Sequence, residues 1–139
     1  MTTTETTTSV VDTFIQALFT AGDLSAVDRH LSPGFVDHDP PVPDAPSGAE
    51  GLRRAAAMFR AAFPDWHSDV ELLVTDGSVV TEVFTARGTH RGELMGVAAT
   101  GRTVELRGIN VFRVERGLIV ERWGRLDELG LRRQLGLTP

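Results

Sequence analysis

The sequence lacks cysteine, long apolar runs and an excess of basic residues, and each absence excludes a class of protein. Without cysteine there is no disulfide framework, no cysteine nucleophile and no thiolate metal site. The formal net charge of −5 argues against non-specific binding of nucleic acid, which needs a basic surface. Apolar runs of only a few residues predict no membrane span. The N-terminus has neither the basic start nor the apolar stretch of a signal peptide, so a cytoplasmic location is expected.

The composition that is present is that of an ordinary globular domain. The chain has 139 residues, of which 41% are hydrophobic and 24% are charged. This length is typical of a single domain. Because there is no internal repeat and no linker, we predict one domain over residues 10–139, after a Thr-rich disordered tail at residues 1–9.

Helical patterns come first along the chain and strand patterns come second. Apolar residues at three- and four-residue spacing predict helices, and alternating β-branched residues between Gly-containing turns predict strands. This order predicts an α+β fold whose helices pack on a curved, mostly antiparallel sheet. The predicted helices are 10–19, a short one ending before Pro33, 49–63 and 126–135; the proline-rich segment 40–48 is irregular, 35–39 is extended, and the strands are 67–75, 79–88, 102–115 and 118–123.

Three glycines inside strand patterns, Gly88, Gly108 and Gly124, predict bulges or bends in the sheet. A bent sheet over helices leaves a concave mouth, where small-molecule sites commonly lie. We therefore expect a pocket for a small apolar molecule.

Asp127 is the first candidate for chemistry. It follows Trp123 by four residues, so an extended backbone would point both side chains to the same side. An apolar indole beside a carboxyl raises its pKa and makes it a useful acid or base. The alternative is that Asp127 only caps the C-terminal helix.

Two histidines are further candidates. His38 stands between two carboxylates, which favours its protonated form, and it could orient a substrate oxygen. His90 ends a strand, where polar groups often reach a pocket rim. The alternatives are a solvated strand end for His38 and simple surface exposure for His90. The spacing of the four histidines matches no metal motif, so no metal is expected.

The long strand carries Asn110 on the same face as Leu106 and Phe112, so Asn110 is predicted to be the polar group on the apolar face. A buried Asn must be hydrogen-bonded, either to the fold or to a ligand. Arg107, on the opposite face, is a further candidate for substrate contact. The side chains suited to line a pocket, or to fill the core instead, are Phe35, Phe59, Phe63, Trp66 and Met95.

Several short segments occur together in an order that resembles the SnoaL-like polyketide cyclase, or ester cyclase, family. The resemblance covers roughly Val10 to Leu137. One departure is Gly124, since many relatives carry an acid directly after the tryptophan. The segments are 35–40 (FVDHDP), 48–51 (GAEG), 62–65 (AFPD), 88–92 (GTHRG), 100–102 (TGR), 111–113 (VFR), 117–123 (GLIVERW) and 134–136 (QLG).

The resemblance implies the cone-shaped α+β barrel of the nuclear transport factor two-like superfamily. It also implies ring closure of an aromatic polyketide or similar keto ester by intramolecular aldol condensation, without metal or cofactor. In this scheme Asp127 is the general acid/base, while His38, His90 and Asn110 bind carbonyl or enolate oxygens near Trp123. The partners it implies are a small apolar or aromatic keto substrate and a second copy of the chain, in a homodimer or homotetramer. Alternatives are a hydroxylase-associated, hydrolase or isomerase relative, or a non-catalytic binding module.

Overall fold

The computed structural model describes residues 3–42 and 44–137. Four α-helices in this part of the chain pack on a five-stranded sheet. The elements are α1 (Thr3–Ile15), a π-helical turn that continues it (Gln16–Thr20), α2 (Ala26–His30), β1 (Leu31–Asp37), α3 (Ala49–Ala62), β2 (His67–Asp76), β3 (Val79–Thr89), β4 (Thr103–Glu115), β5 (Leu118–Leu126) and α4 (Glu128–Gln134).

The sheet has the strand order β1-β5-β4-β3-β2. Strands β2 to β5 form an antiparallel meander, and β1 pairs in parallel with β5 at the edge. The two tight hairpins turn at Gly77 and Gly117, whose φ angles are 59° and 78°. Glycine adopts positive φ without a steric penalty, which is why these turns are readable from the sequence. The predicted α+β class and its mostly antiparallel sheet are confirmed.

The buried face of the sheet carries two apolar clusters with polar residues between them. Along β3 and β4, Val80 and Phe112 belong to the cluster under α1 and α2. Phe84 and Leu106 belong to the cluster near the end of α3 and under α4. Since side chains alternate along a strand, the residues between these pairs face the same interior. This arrangement places the site described below between the two halves of the core.

Two boundaries differ from those predicted. Residues 3–9, predicted to be a disordered tail, belong to α1, where Thr7 is buried and Thr8 contacts the hydroxyl of Thr75 at 2.5 Å. Residues 1 and 2 of that tail lie outside the described residues, as do Pro43 and residues 138 and 139. Strand β1 begins at Leu31 and passes through Pro33, which an edge strand tolerates.

The prediction of bulges at the three strand glycines is wrong, and the alternative of bends there stays a prediction. Register shifts lie elsewhere, for example between Val70 and Leu72. The glycines instead leave room for neighbours: a Cβ on Gly88 would lie 2.7 Å from Cβ of Phe63, and one on Gly124 would lie 2.2 Å from Nη2 of Arg122. No helix in the described part of the chain is long and apolar enough to cross a membrane.

Candidate active site

A small cavity lies between α3 and the inner face of β3, β4 and β5. Its polar lining residues are Ser68, Glu82, Asn110 and Arg122. A cavity volume of about 40 Å³ gives room for a few water molecules. A few polar groups in an otherwise apolar cavity are typical of a small-molecule site. The remaining lining is Phe19, Pro41, Ala55, Phe59, Trp66, Phe84, Ala86, Leu106 and Leu126.

Glu82 is the carboxylate of this cavity, and the alternation of β3 places it there. Val80, Glu82, Phe84 and Ala86 point to the same face and are all buried. Glu82 is only 1% exposed. Glu82 is not among the candidates predicted from the sequence. The sequence does carry a signal for it, because Glu82 stands at an inward position in a strand pattern whose other inward residues are apolar.

Asn110 holds one oxygen of the Glu82 carboxylate. The two residues face each other in the register of β3 and β4, and Nδ2 of Asn110 donates to Oε1 of Glu82 over 2.8 Å. The other oxygen, Oε2, is buried without a hydrogen-bond partner among the described residues. Buried polar atoms without a partner are rare in folded proteins. Oε2 is therefore the oxygen of Glu82 that the described residues leave without a hydrogen bond, and Glu82 lines the cavity.

Arg122 determines which way the Asn110 amide points. Its Nε donates to Oδ1 of Asn110 over 3.0 Å, and its Nη1 donates to the two carboxylate oxygens of Asp37 over 2.9 and 3.0 Å. Guanidinium nitrogens only donate, so Oδ1 of Asn110 must face Arg122 and the NH2 group must face Glu82. In this buried relay, Asp37–Arg122–Asn110–Glu82, Oε1 of Glu82 already accepts a hydrogen bond from Asn110. A proton on Glu82 is therefore best placed on Oε2.

The position of Glu82 also changes its acidity. Burial raises the pKa of Glu82 to about 7, and the Asn110 hydrogen bond and the Arg122 charge offset only part of this rise. An ordinary Glu is fully ionised at neutral pH, whereas Glu82 keeps its proton to a pH well above the ordinary range. A group in this state can both take and return a proton, as general acid/base catalysis requires.

Three of the residues predicted to contact substrate line this cavity. Phe59 and Trp66 form part of its apolar wall, with their rings stacked at a centroid distance of 5.0 Å, and Asn110 lies beside Glu82. Phe35 and Phe63 are buried in the two core clusters and do not line the cavity. The predicted position of Asn110 on the apolar face is confirmed.

Four other predicted residues lie away from this cavity. Because Arg122 points inward, its neighbour Trp123 points to the outer face of the sheet, where its ring stacks on His38 at 4.9 Å. Nε2 of His38 lies 2.7 Å from the carboxylate of Glu121. Arg107 is exposed on the same outer face. Met95 is 54% exposed in the loop after β3.

His90 is neither at the surface nor at the cavity. It is 0% exposed, and its ring lies 5.4 Å from that of Phe63. The backbone N–H of Thr100 donates to Nδ1 of His90 over 3.2 Å, so the ring proton is on Nε2. In residues 3–42 and 44–137, no group of three His, Asp or Glu is placed to hold a metal ion.

Asp127 begins α4 as its N-cap residue. Its Oδ1 accepts a hydrogen bond from the backbone N–H of Gly130 over 2.8 Å, and the side chain is exposed. Strand β5 ends at Leu126, and Asp127 lines a surface groove with Arg107 and Ile109, on the outer face of the sheet that also carries Trp123. The geometry favours the capping interpretation. A catalytic role for Asp127 stays a prediction to be tested against Glu82.

Sequence comparison relates this chain to enzymes of polyketide metabolism. A family model described as SnoaL-like polyketide cyclase matches residues 9–135. Aklanonic acid methyl ester cyclase DnrD of Streptomyces peucetius is 31% identical over 109 residues, which is 78% of this chain and 72% of DnrD. The cyclase of the same description from Streptomyces sp. strain C5, DauD, is also 31% identical over 109 residues, covering 65% of DauD.

Solved structures give the same relationship. TsrD from Streptomyces laurentii superposes with a TM-score of 0.85 at 28% identity, covering 99% of this chain and 100% of TsrD. IdmH from Streptomyces antibioticus superposes with a TM-score of 0.81 at 34% identity, covering 94% of this chain and 98% of IdmH. With the family model matching nearly its whole length, the chain belongs to the SnoaL-like polyketide cyclase family.

Proposed function

We propose that this protein is an acid/base cyclase that closes a ring in a small apolar keto ester by intramolecular aldol condensation, with Glu82 as its acid/base. The observation that carries the proposal is the free Oε2 of a buried carboxylate in an apolar cavity. The similarity to two aklanonic acid methyl ester cyclases supports the reaction class. No cofactor is required, because carbon acids flanked by two carbonyls give up a proton to a carboxylate.

The reaction would proceed in three steps. Oε2 of ionised Glu82 removes a proton from the carbon between two carbonyls, and the electrons of that C–H bond form an enolate. The enolate carbon attacks a second carbonyl of the same molecule, which forms the ring C–C bond and an alkoxide. Protonated Glu82 then returns its proton to the alkoxide, so the enzyme is regenerated. The apolar walls around Glu82 keep the enolate away from water, and binding against them holds the two reacting carbons together.

The relay of Asp37, Arg122 and Asn110 would position the base. Asn110 occupies Oε1, so that only Oε2 takes part in proton transfer. Arg122 keeps the Asn110 amide in that orientation, and Asp37 together with the backbone carbonyl of Asp39 holds Arg122. These are positioning residues. Their removal is expected to affect the pH profile of the reaction as well as its rate.

The test is the turnover of an aromatic keto ester by Glu82→Gln, with Asp127→Asn as the matched comparison. General acid/base catalysis contributes about 10²- to 10⁴-fold, so we expect Glu82→Gln to lose a factor of that order. The native rate should rise with pH through about 7, because the ionised form of Glu82 is the base. Full activity of Glu82→Gln together with loss of activity in Asp127→Asn would show that Asp127 is the base instead.

A second candidate is binding of an apolar molecule without turnover. It is favoured by the exposed, helix-capping position of Asp127, the residue that the family resemblance makes the catalytic acid. Its signature is tight binding of an apolar ketone by the native protein, with no product formed at any pH and no effect of Glu82→Gln beyond a change in affinity.

A further inference from the structure

A second, larger cavity adjoins the first. Its volume is about 100 Å³, and we refer to it as the outer chamber and to the first as the inner cavity. The outer chamber lies between the loop after β3 and helix α4. The two share Pro41, Phe59, Leu106 and Leu126 as walls; the outer chamber adds Leu94, Met95, Val97, Glu128, Leu131, Arg132, Leu135 and Leu137.

The small size of the inner cavity makes the outer chamber important for binding a larger molecule. With room for only a few water molecules, it cannot enclose a molecule that carries two carbonyls and a ring. A larger molecule that brings a carbon atom to Glu82 therefore extends beyond the inner cavity, and the outer chamber is the neighbouring cavity that shares its walls. The outer chamber also has a mostly apolar lining, so the rest of such a molecule can be buried there and does not have to lie in water.

One residue of the shared wall, Leu126, has room to change its side-chain position. Leu126 is the last residue of β5 and is only half-buried. It packs over Gly108: a Cβ on Gly108 would lie 2.8 Å from Cδ2 of Leu126 and 2.6 Å from Cζ of Phe84. The part of Leu126 that covers Gly108 is the end of its side chain and not its backbone, so a change of rotamer moves this part of the wall while the sheet stays in place.

We propose that the inner cavity and the outer chamber form one site for an elongated, uncharged substrate. The carbon that gives up its proton lies at Glu82, and the apolar chain or ring of the substrate passes Leu126 into the outer chamber. The mouth carries Glu128 and Arg132, one turn apart on α4 with opposite charges, so it favours a neutral tail over a charged one. This inference rests on the proposed function for the placement of the reacting end, but its test measures binding alone.

The test uses methyl ketones from butanone to dodecanone, which carry no second carbonyl and do not cyclise. Trp66 lines the inner cavity and Trp123 is the second of the two tryptophans, so a Trp123→Phe background leaves Trp66 as the only reporter of binding. If the outer chamber receives the chain, affinity should rise roughly fourfold for each added methylene. The rise should continue through ketones that are too long for the inner cavity.

Val97→Phe in the same background narrows the outer chamber, and Val111→Phe, the same change on the outer face of the sheet, is the matched control. With Val97→Phe the gain in affinity should stop at a shorter chain, while butanone binds as before. Two results would overturn the proposal. One is an affinity that stops rising at ketones small enough for the inner cavity. The other is an affinity series that neither Val97→Phe nor Val111→Phe changes. Repeating the series in Glu82→Gln separates this result from the identity of the base.

Discussion

The native protein is expected to lose stability as the pH rises, because Glu82 is buried. Replacing Glu82 by Gln is expected to abolish this loss. Gln has nearly the same shape as Glu, and its carbonyl oxygen keeps the acceptor for Nδ2 of Asn110. It has no charge at any pH. The variant therefore differs from the native protein chiefly in having no buried group that ionises at this position.

The direction of the effect follows from the shift in pKa. Folding raises the pKa of Glu82 from 4.5 to about 7, so the folded protein holds this proton more tightly than the unfolded chain does. The stability that this contributes is fully present below about pH 4.5 and is lost as the pH rises through about 7. At about 1.4 kcal/mol per pKa unit, the loss is on the order of 3 kcal/mol.

The assay is urea unfolding followed by circular dichroism at several values between about pH 5 and about pH 9. The quantity of interest is the unfolding free energy of the native protein minus that of Glu82→Gln. His30 titrates in an overlapping range in the opposite sense, since burial lowers its pKa, and the subtraction cancels this contribution. Glu93→Gln, the same chemical change at an exposed position, is the matched control.

The expected result is a difference that falls by about 3 kcal/mol from the acidic to the basic end of the range. A difference in unfolding free energy that stays constant with pH comes from the amide that Gln places in the cavity, and it does not bear on the test. If the two unfolding free energies run parallel within about 0.5 kcal/mol, Glu82 does not ionise in the folded protein as argued.

Substitutions at three further positions test the structure around the site. Asp127→Ala should lower stability by about 1 kcal/mol because the α4 cap is lost, whereas Asp127→Asn should keep it, as urea unfolding will show. Gly124→Ala should destabilise by about 1–3 kcal/mol, because its Cβ would lie 2.2 Å from Nη2 of Arg122. Asp37→Asn leaves the Arg122 charge uncompensated and should cost about 3–5 kcal/mol. The same variant should lower the pKa of Glu82, seen as a shift of its pH-dependent step to lower pH; an unshifted step would refute the relay.

The sequence by itself determined the α+β class, the helix α3, the two tight hairpins and the family. These features depend on local signals: a three- and four-residue apolar spacing, alternation along strands, and Asp76-Gly77 and Arg116-Gly117 at the turns. The prediction of Asn110 as a polar residue on the apolar face came from the same alternation. Applied to β3, that alternation also marks Glu82 as an acid on the buried face.

Only the tertiary structure decided which acid meets the cavity. Asp127 lies outside the cavity because it caps α4, and an N-cap carboxylate is held by the helix that follows. Glu82 is held by Asn110 on the neighbouring strand, and Asn110 is held by Arg122 on the next strand. The last member of the relay is Asp37, which binds Arg122 and lies 85 positions before it in the chain. Such partners meet only when β1 pairs with β5, and the pKa of a carboxyl depends on the burial and charges that this pairing creates around it.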